Sequence, residues 1–243
     1  MKRWILAVGL ALAALLPSAV LAQGPGSFAG NFSSVSIIPT LTCAATDAQL
    51  ACSNGGQGFL SATIKMPNGK SILIGGSLET SLLTSTLGTG GQGQGKGQAA
   101  ATGTVVVRPE VKNADGQSFP VFPPQVTFNS RTQVLSAALS GCLTNIDPTT
   151  GLPVITCTTP ESISLLLSTT SANSFQFVAP NVPQGVYTVK LKIGATADAT
   201  STSVGFNSQV SVGVGVGSLT AQIVQVQTPF NSLCFDLASG TVC

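Results

Sequence analysis

Eight carboxylates, six cysteines and no histidine bound the chemistry open to this 243-residue chain. Nucleophilic sites of the Ser-His-Asp or Cys-His kind need an imidazole to take the proton, and imidazole-based metal centres need the same ring. The chain supplies none. A glycosidase asks only for two facing carboxylates. The candidates are Asp47, Glu79, Glu110, Asp115, Asp147, Glu161, Asp198 and Asp236. They are scattered, several beside turn residues, so surface placement is the expectation and a carboxylate-based glycoside hydrolase is the least favoured reading. "KNADGQ" (Lys112–Gln117) offers Asn113, Asp115 and Gly116 as a fragment of a calcium loop, but without the terminal bidentate Glu it reads as an Asp-Gly turn. No catalytic, cofactor-binding or metal-ligating residue is assigned, and no cofactor is expected.

A phosphate cradle is the other chemistry suggested by spacing. In "LGTGGQGQGKGQAAATGTVVV" (Leu87–Val107), Gly88, Gly90 and Gly93 satisfy G-x-G-x-x-G and Lys96 follows. That fingerprint binds a dinucleotide only between a strand and a helix, and "TVVV" reads as strand. The Walker pattern fails because Gly97, not Ser or Thr, follows Lys96. The tract from Gly88 to Gln98 is therefore expected to be a flexible spacer, with any sub-boundary of the domain at residues 88–98. Asn31-Phe32-Ser33 fits a glycosylation acceptor. Aromatic platforms for sugars are thin: the one Trp lies in the leader, Tyr187 is the one Tyr, and the eleven Phe fall mostly at strand positions.

The leader itself is explicit. Lys2 and Arg3 precede the apolar "WILAVGLALAALL", and "AVLA" ends it with small residues. This predicts a helical secretory signal peptide, residues 1–22, and an exported domain, residues 23–243, with no later membrane span. Removing Lys2 and Arg3 from the 10 Lys and Arg leaves 8, against 8 Asp and Glu. The remaining cations (Lys65, Lys70, Lys96, Arg108, Lys112, Arg131, Lys190, Lys192) are spread along the sequence, which argues against nucleic acid as a partner. In an exported chain six cysteines read as disulfides, and neighbour pairing suggests Cys43–Cys52, Cys142–Cys157 and Cys234–Cys243. Zinc is excluded by the missing histidine and the absence of C-x-x-C.

Short β-branched runs punctuated by Gly, Pro, Asn and Asp must position whatever the chain does. They predict an all-β, antiparallel β-sandwich, Ig-like or jelly-roll-like, of roughly eleven strands with its core at about residues 34–228. "FLSATIKM" is expected to pair with "SILIGG" across Asn68-Gly69, the strongest hairpin signal in the chain. "QVTFNS" and "TQVLSAAL", "SISLLLS" and "SFQFVAP", and "SQVSVGVGVG" and "LTAQIVQVQ" read as separate strands. The most unusual is "QVSVGVGVG", where Val210, Val212, Val214 and Val216 share one face and Ser211, Gly213 and Gly215 the other. That bare face either receives a neighbouring element or is an interaction strand open to another subunit.

Two stretches resemble carboxypeptidase-regulatory-like or transthyretin-like (Ig-like) β-sandwich modules. "VKNADGQSFPVFPPQVTF" (Val111–Phe128) is similar to their opening strand, D-G turn and proline-led second strand. "SFQFVAPNVPQGVYTVKLKI" (Ser174–Ile193) is similar to their closing pattern, in which Tyr187 and Val189 return opposite Phe175 and Phe177. The resemblance implies an extracellular binding or structural module and transfers no site residue. The expected function is a non-catalytic secreted structural or binding protein of the cell surface, extracellular matrix or periplasm. Its partners would be protein or its own copies through strand edges, or, as the alternative, a glycan bound by a carbohydrate-binding accessory module.

Overall fold

Period-two patterning builds the longest strands. In β4 (Lys70–Thr89) the even positions from Ile72 to Gly88 turn inward, and in β11 (Gly185–Ser201) the odd positions from Tyr187 to Ala199 do so. The computed structural model describes residues 28–46, 51–67, 69–90, 96–139, 143–156, 161–225, 235–236 and 241–242. The remaining strands are β1 (Phe28–Ser33), β2 (Ile38–Thr46), β3 (Cys52–Met66), β5 (Lys96–Asn113), β6 (Ser118–Phe119), β7 (Val126–Ala138), β8 (Leu143–Ile146), β9 (Pro153–Thr156), β10 (Ser162–Val182), β12 (Phe206–Val224), β13 (Phe235–Asp236) and β14 (Thr241–Val242). Among the described residues there is no helix, and none long and apolar enough to cross a membrane.

Ten strands form two antiparallel sheets of five. Sheet A runs β1-β12-β4-β10, with β2 on the same edge of β12 as β1; sheet B runs β3-β11-β5-β6, with β7 beside β6 on β5. Their facing sides make one core, in which Ile72, Ile74, Leu78, Leu82, Val210, Val212 and Phe177 of sheet A meet Ile64, Val105, Val107, Tyr187, Val189 and Leu191 of sheet B. Phe177, Tyr187 and Val189 all belong to this core, whereas Phe175, the other residue of the sequence pattern, is 39% exposed. The Tyr187 ring meets Phe119 edge-on at 5.2 Å, and its hydroxyl donates to the Pro183 carbonyl at 3.1 Å. Burial pushes that phenol's pKa up.

Several expectations are corrected. Asn68-Gly69 does not join a hairpin: β3 belongs to sheet B and β4 to sheet A, so the chain crosses the core there, with Gly69 at a φ of 67°. Both strands carry an apolar row, and β4 has each edge filled by a later strand. Three pairs of predicted short strands are single long ones (β7, β10 and β12): pairing runs unbroken through Arg131 in β7 and through Thr169–Asn173 in β10, and a bulge rather than a turn separates the two halves of β12. The bulge in β12 sets Gly215 and Val216 against the single residue Glu79, so Val216 leaves the valine row and faces solvent. The sandwich begins before the expected core start at about residue 34: Phe28–Ser33 form β1, whose Asn31 side chain donates to the Ser61 carbonyl of sheet B at 2.7 Å.

The glycine tract is more than a spacer as well. Gly88 is the last but one residue of β4 and Gly97 the second of β5, and a Cβ on Gly97 would stand 2.2 Å from the Phe206 ring. These glycines make the slot that seats Phe206 against Ala99 and Leu139. Residues 91–95 between them, the leader at 1–22 and the Cys142–Cys157 and Cys234–Cys243 pairs lie outside the described residues.

The third pair is present. Cys43 of β2 and Cys52 of β3 form a disulfide with a Cα–Cα distance of 5.6 Å, tying an edge of sheet A to an edge of sheet B. Closing so short a loop constrains the unfolded chain by about 2–3 kcal/mol. The Cys43→Ala, Cys52→Ala double variant should therefore lose about that much stability in a urea titration under non-reducing conditions.

Candidate functional site

Glu79, Glu110 and Asp198 do not converge, and Asp47 lies outside the described residues. Glu79 sits on the outer face of sheet A, whereas Glu110 and Asp198 sit on the outer face of sheet B. Glu110 pairs with Lys190 and Asp198 lies eight positions further along β11, so the two are about 26 Å apart, far beyond the ~5–9.5 Å of glycosidase pairs. Glu110 is already engaged, at 2.9 Å by Lys192 and 3.1 Å by Lys112. The Lys192 hydrogen bond holds its carboxyl below the usual carboxylate range, against a smaller opposing effect of burial. Asp147 accepts the Thr149 N–H in the β8–β9 turn, which lowers its pKa. Asp115 belongs to a plain turn: Asn113 Oδ1 accepts the Gln117 N–H at 2.8 Å, and Gly116 has a φ of 82°. Among the described residues no group of three acids or cysteines is placed to hold a metal.

The interaction strand inferred from glycine spacing is internal. β12 is hydrogen-bonded to β4 on one side and to β1 and β2 on the other. A Cβ on Gly213 would meet Ser81 Oγ at 2.8 Å, and one on Gly215 would meet Glu79 Oε2 at 3.1 Å. Ser211 lies 3.3 Å from the Thr42 hydroxyl. Neighbours in the same sheet therefore fill the bare face, and no strand edge is open there.

The open margin is β10. This strand ends sheet A, and along Ser162–Phe177 β4 is its one strand neighbour among the described residues; Phe122 bridges it further on, at Val178. Register with Thr86 and Thr84 puts Leu165 and Leu167 on the inner face of the sheet, where Gln133 of sheet B reaches the Leu165 backbone but leaves the leucine side chains exposed. Ile163, Leu165 and Leu167 are 41%, 44% and 50% exposed, and Leu166 on the other face is 64% exposed. β10 carries no charged residue. Edges of natural sheets are usually protected by charge, proline or a bulge.

A polar seam closes the sandwich beside that margin. Asn129, Arg131 and Gln133 alternate along β7 and point across the interior at β4 and β10. Gln133 accepts from the Thr84 hydroxyl and donates to Thr86 Oγ1 and to the Leu165 carbonyl, each at 2.8 Å. Asn129 donates to Thr80 Oγ1 and Ser171 Oγ, and Asn173 of β10 donates back to the Phe128 carbonyl. Arg131 donates through Nη2 to Thr169, while its buried Nη1 has no partner. The sequence signal for this seam was faint, since β7 is polar on both faces; the threonines at alternate positions of β4 were the legible half.

The cations, by contrast, gather. Register places Lys65 of β3, Arg108 and Lys112 of β5, and Lys190 and Lys192 of β11 all on the outer face of sheet B. Scatter along the sequence is thus concentration in space, with six of the eight non-leader cations on one face once Lys96, at the far end of β5, is counted.

No family model and no curated relative matches the chain. Among solved structures, a CocE/NonD family hydrolase from Staphylococcus aureus aligns at 11% identity over 73% of this chain and 37% of that one, with a TM-score of 0.14. Infectious bursal disease virus, Gt strain, aligns at 11% identity over 80% of this chain and 42% of that one, TM-score 0.15. The VP2 subviral particle of infectious bursal disease virus does so at 10% identity over 88% and 44%, TM-score 0.12. The chain spans less than half of each of these proteins. Likenesses of this size assign neither a family nor an activity.

Proposed function

We propose that this is a non-catalytic, exported structural β-sandwich of the cell surface or extracellular matrix, which assembles with copies of itself through the β10 margin. The observation that carries the reading is the exposed leucine row on an edge strand free of charge. In a two-fold pairing the same strand edge meets itself, residue i facing j while j faces i, so an edge carrying charge of one sign would face like charge. β10 has none to oppose itself. The Cys43–Cys52 bridge between the sheets suits an oxidising compartment. An Ig-like affiliation of the module is part of the same proposal.

Light scattering tests it. Wild-type protein should show a concentration-dependent species larger than a monomer, and Leu165→Lys with Leu166→Lys should return it to monomer while its thermal unfolding stays close to wild type. A wild type that remains monomeric at high concentration, or a double variant that assembles equally well, overturns the proposal.

A further inference from the structure

The basic face of sheet B contains a trough, and it stands apart from the β10 margin. Three strands contribute aligned rungs: Phe59–Lys192–Arg108, then Gln57–Gly194–Val106, then Gly55–Thr196–Thr104. Gly194 and Gly55 raise no side chain from adjacent strands, so the backbone forms a floor, and a Cβ built on Gly194 meets nothing within 4 Å. The resulting depression is about 640 Å³. Its rim is Phe59, 64% exposed, with the Lys190 ammonium 5.4 Å from the ring centroid. Arg108 is held by Gln125 at 2.6 Å and Lys192 by Glu110 at 2.9 Å, so both cations are oriented by neighbours on their own sheet. No acidic residue lines the trough; Glu110 stands beside it, shared with Lys112.

A site with three cations, a flat bare floor and one aromatic rim selects its ligand by charge and shape. We propose that this trough binds an acidic polysaccharide, its carboxylates held by Arg108, Lys190 and Lys192 while a sugar ring lies over Gly194 beside Phe59. A volume of this size lies within the usual range for small-ligand sites and accommodates a short run of sugar rings. Single-stranded nucleic acid is the weaker fit, because such platforms stack successive bases on successive aromatics and this face offers Phe59 alone. A lipid surface fits less well again: the cations flank a recess, and the exposed leucines lie on the other sheet.

Calorimetric titration with short oligogalacturonates tests the proposal, with neutral malto-oligosaccharides of equal length, a single-stranded oligonucleotide and anionic vesicles as comparison arms. Wild type should bind the uronate saturably, more weakly as salt rises, and should not bind the neutral sugar. Gly194→Tyr fills the floor without changing charge at a position whose backbone is ordinary strand. It should weaken binding tenfold or more, as should Lys190→Gln with Lys192→Gln. Lys96→Gln, away from the trough, should leave binding unchanged, and Glu110→Gln should tighten it. Each variant is checked by its unfolding curve. Tighter binding to the oligonucleotide or vesicles, no binding to the uronate, or full binding by a folded Gly194→Tyr protein overturns the assignment. None of these outcomes bears on assembly through β10.

Discussion

Phe177→Ala should destabilise the protein by about 3–5 kcal/mol, read as a shifted midpoint at unchanged slope in urea unfolding. Phe177 is fully buried on β10 opposite Ile74, at the end of the strand that the core does cover. Its ring lies 5.1 Å from Phe175, and the next residue, Val178, exchanges two 2.8 Å backbone hydrogen bonds with Phe122. Removing the ring leaves a cavity beneath well-paired backbone on both sides, which cannot collapse to fill it. Phe175→Ala is the internal comparison: that ring is 39% exposed and should cost about a third as much. Equal losses at the two positions would mean that β10 is not layered as described.

The second large effect separates two neighbours on β7 by sign. Gln133→Leu keeps the volume of the side chain but leaves the buried Thr84 and Thr86 hydroxyls, and the Leu165 carbonyl at the margin, without their partner. At about 1–3 kcal/mol for each buried group left unsatisfied, partly relieved by local rotation, a loss of about 2–4 kcal/mol is expected. Arg131→Met should instead leave stability unchanged or raise it by up to about 1 kcal/mol. It removes a cation with a buried, unpartnered nitrogen, and such groups are often improved by an apolar side chain of similar size. Equilibrium unfolding of the two single variants and their combination measures both values. A large loss from Arg131→Met would show that the guanidinium is paired and matters to the seam.

How much of this was legible depended on whether a signal was local. Alternation in "FLSATIKM" and "VYTVKLKI" marked the correct inward rows, since each strand needs only one apolar face to declare itself. The Cys43–Cys52 pair followed from proximity in sequence. Sheet membership did not. Asn68-Gly69 signals a turn, but whether the chain then pairs with itself or crosses to the other sheet is decided by β10 and β12, far downstream. The same limit hid both surface features. The β10 leucines look like core residues until their side chains are seen exposed at the margin of sheet A. Lys65, Arg108, Lys112, Lys190 and Lys192 look dispersed until register brings them to one face. In β12 the glycines left two readings, a neighbouring element or another molecule, and Thr40, Ser81 and Glu79 lie beside them from within the sheet.

The order of strands in sheet A also governs how the molecule comes into being. β4 lies between β10 and β12, so its residues 70–89 find their partners at 162–182 and 206–224. Contacts this distant in sequence form slowly. As the polypeptide leaves the ribosome, Leu78 and Leu82 emerge long before anything that can flank them, and the sheet has no centre until residue 224 has been made. A nascent chain of this design must be kept from its neighbours through most of its own synthesis.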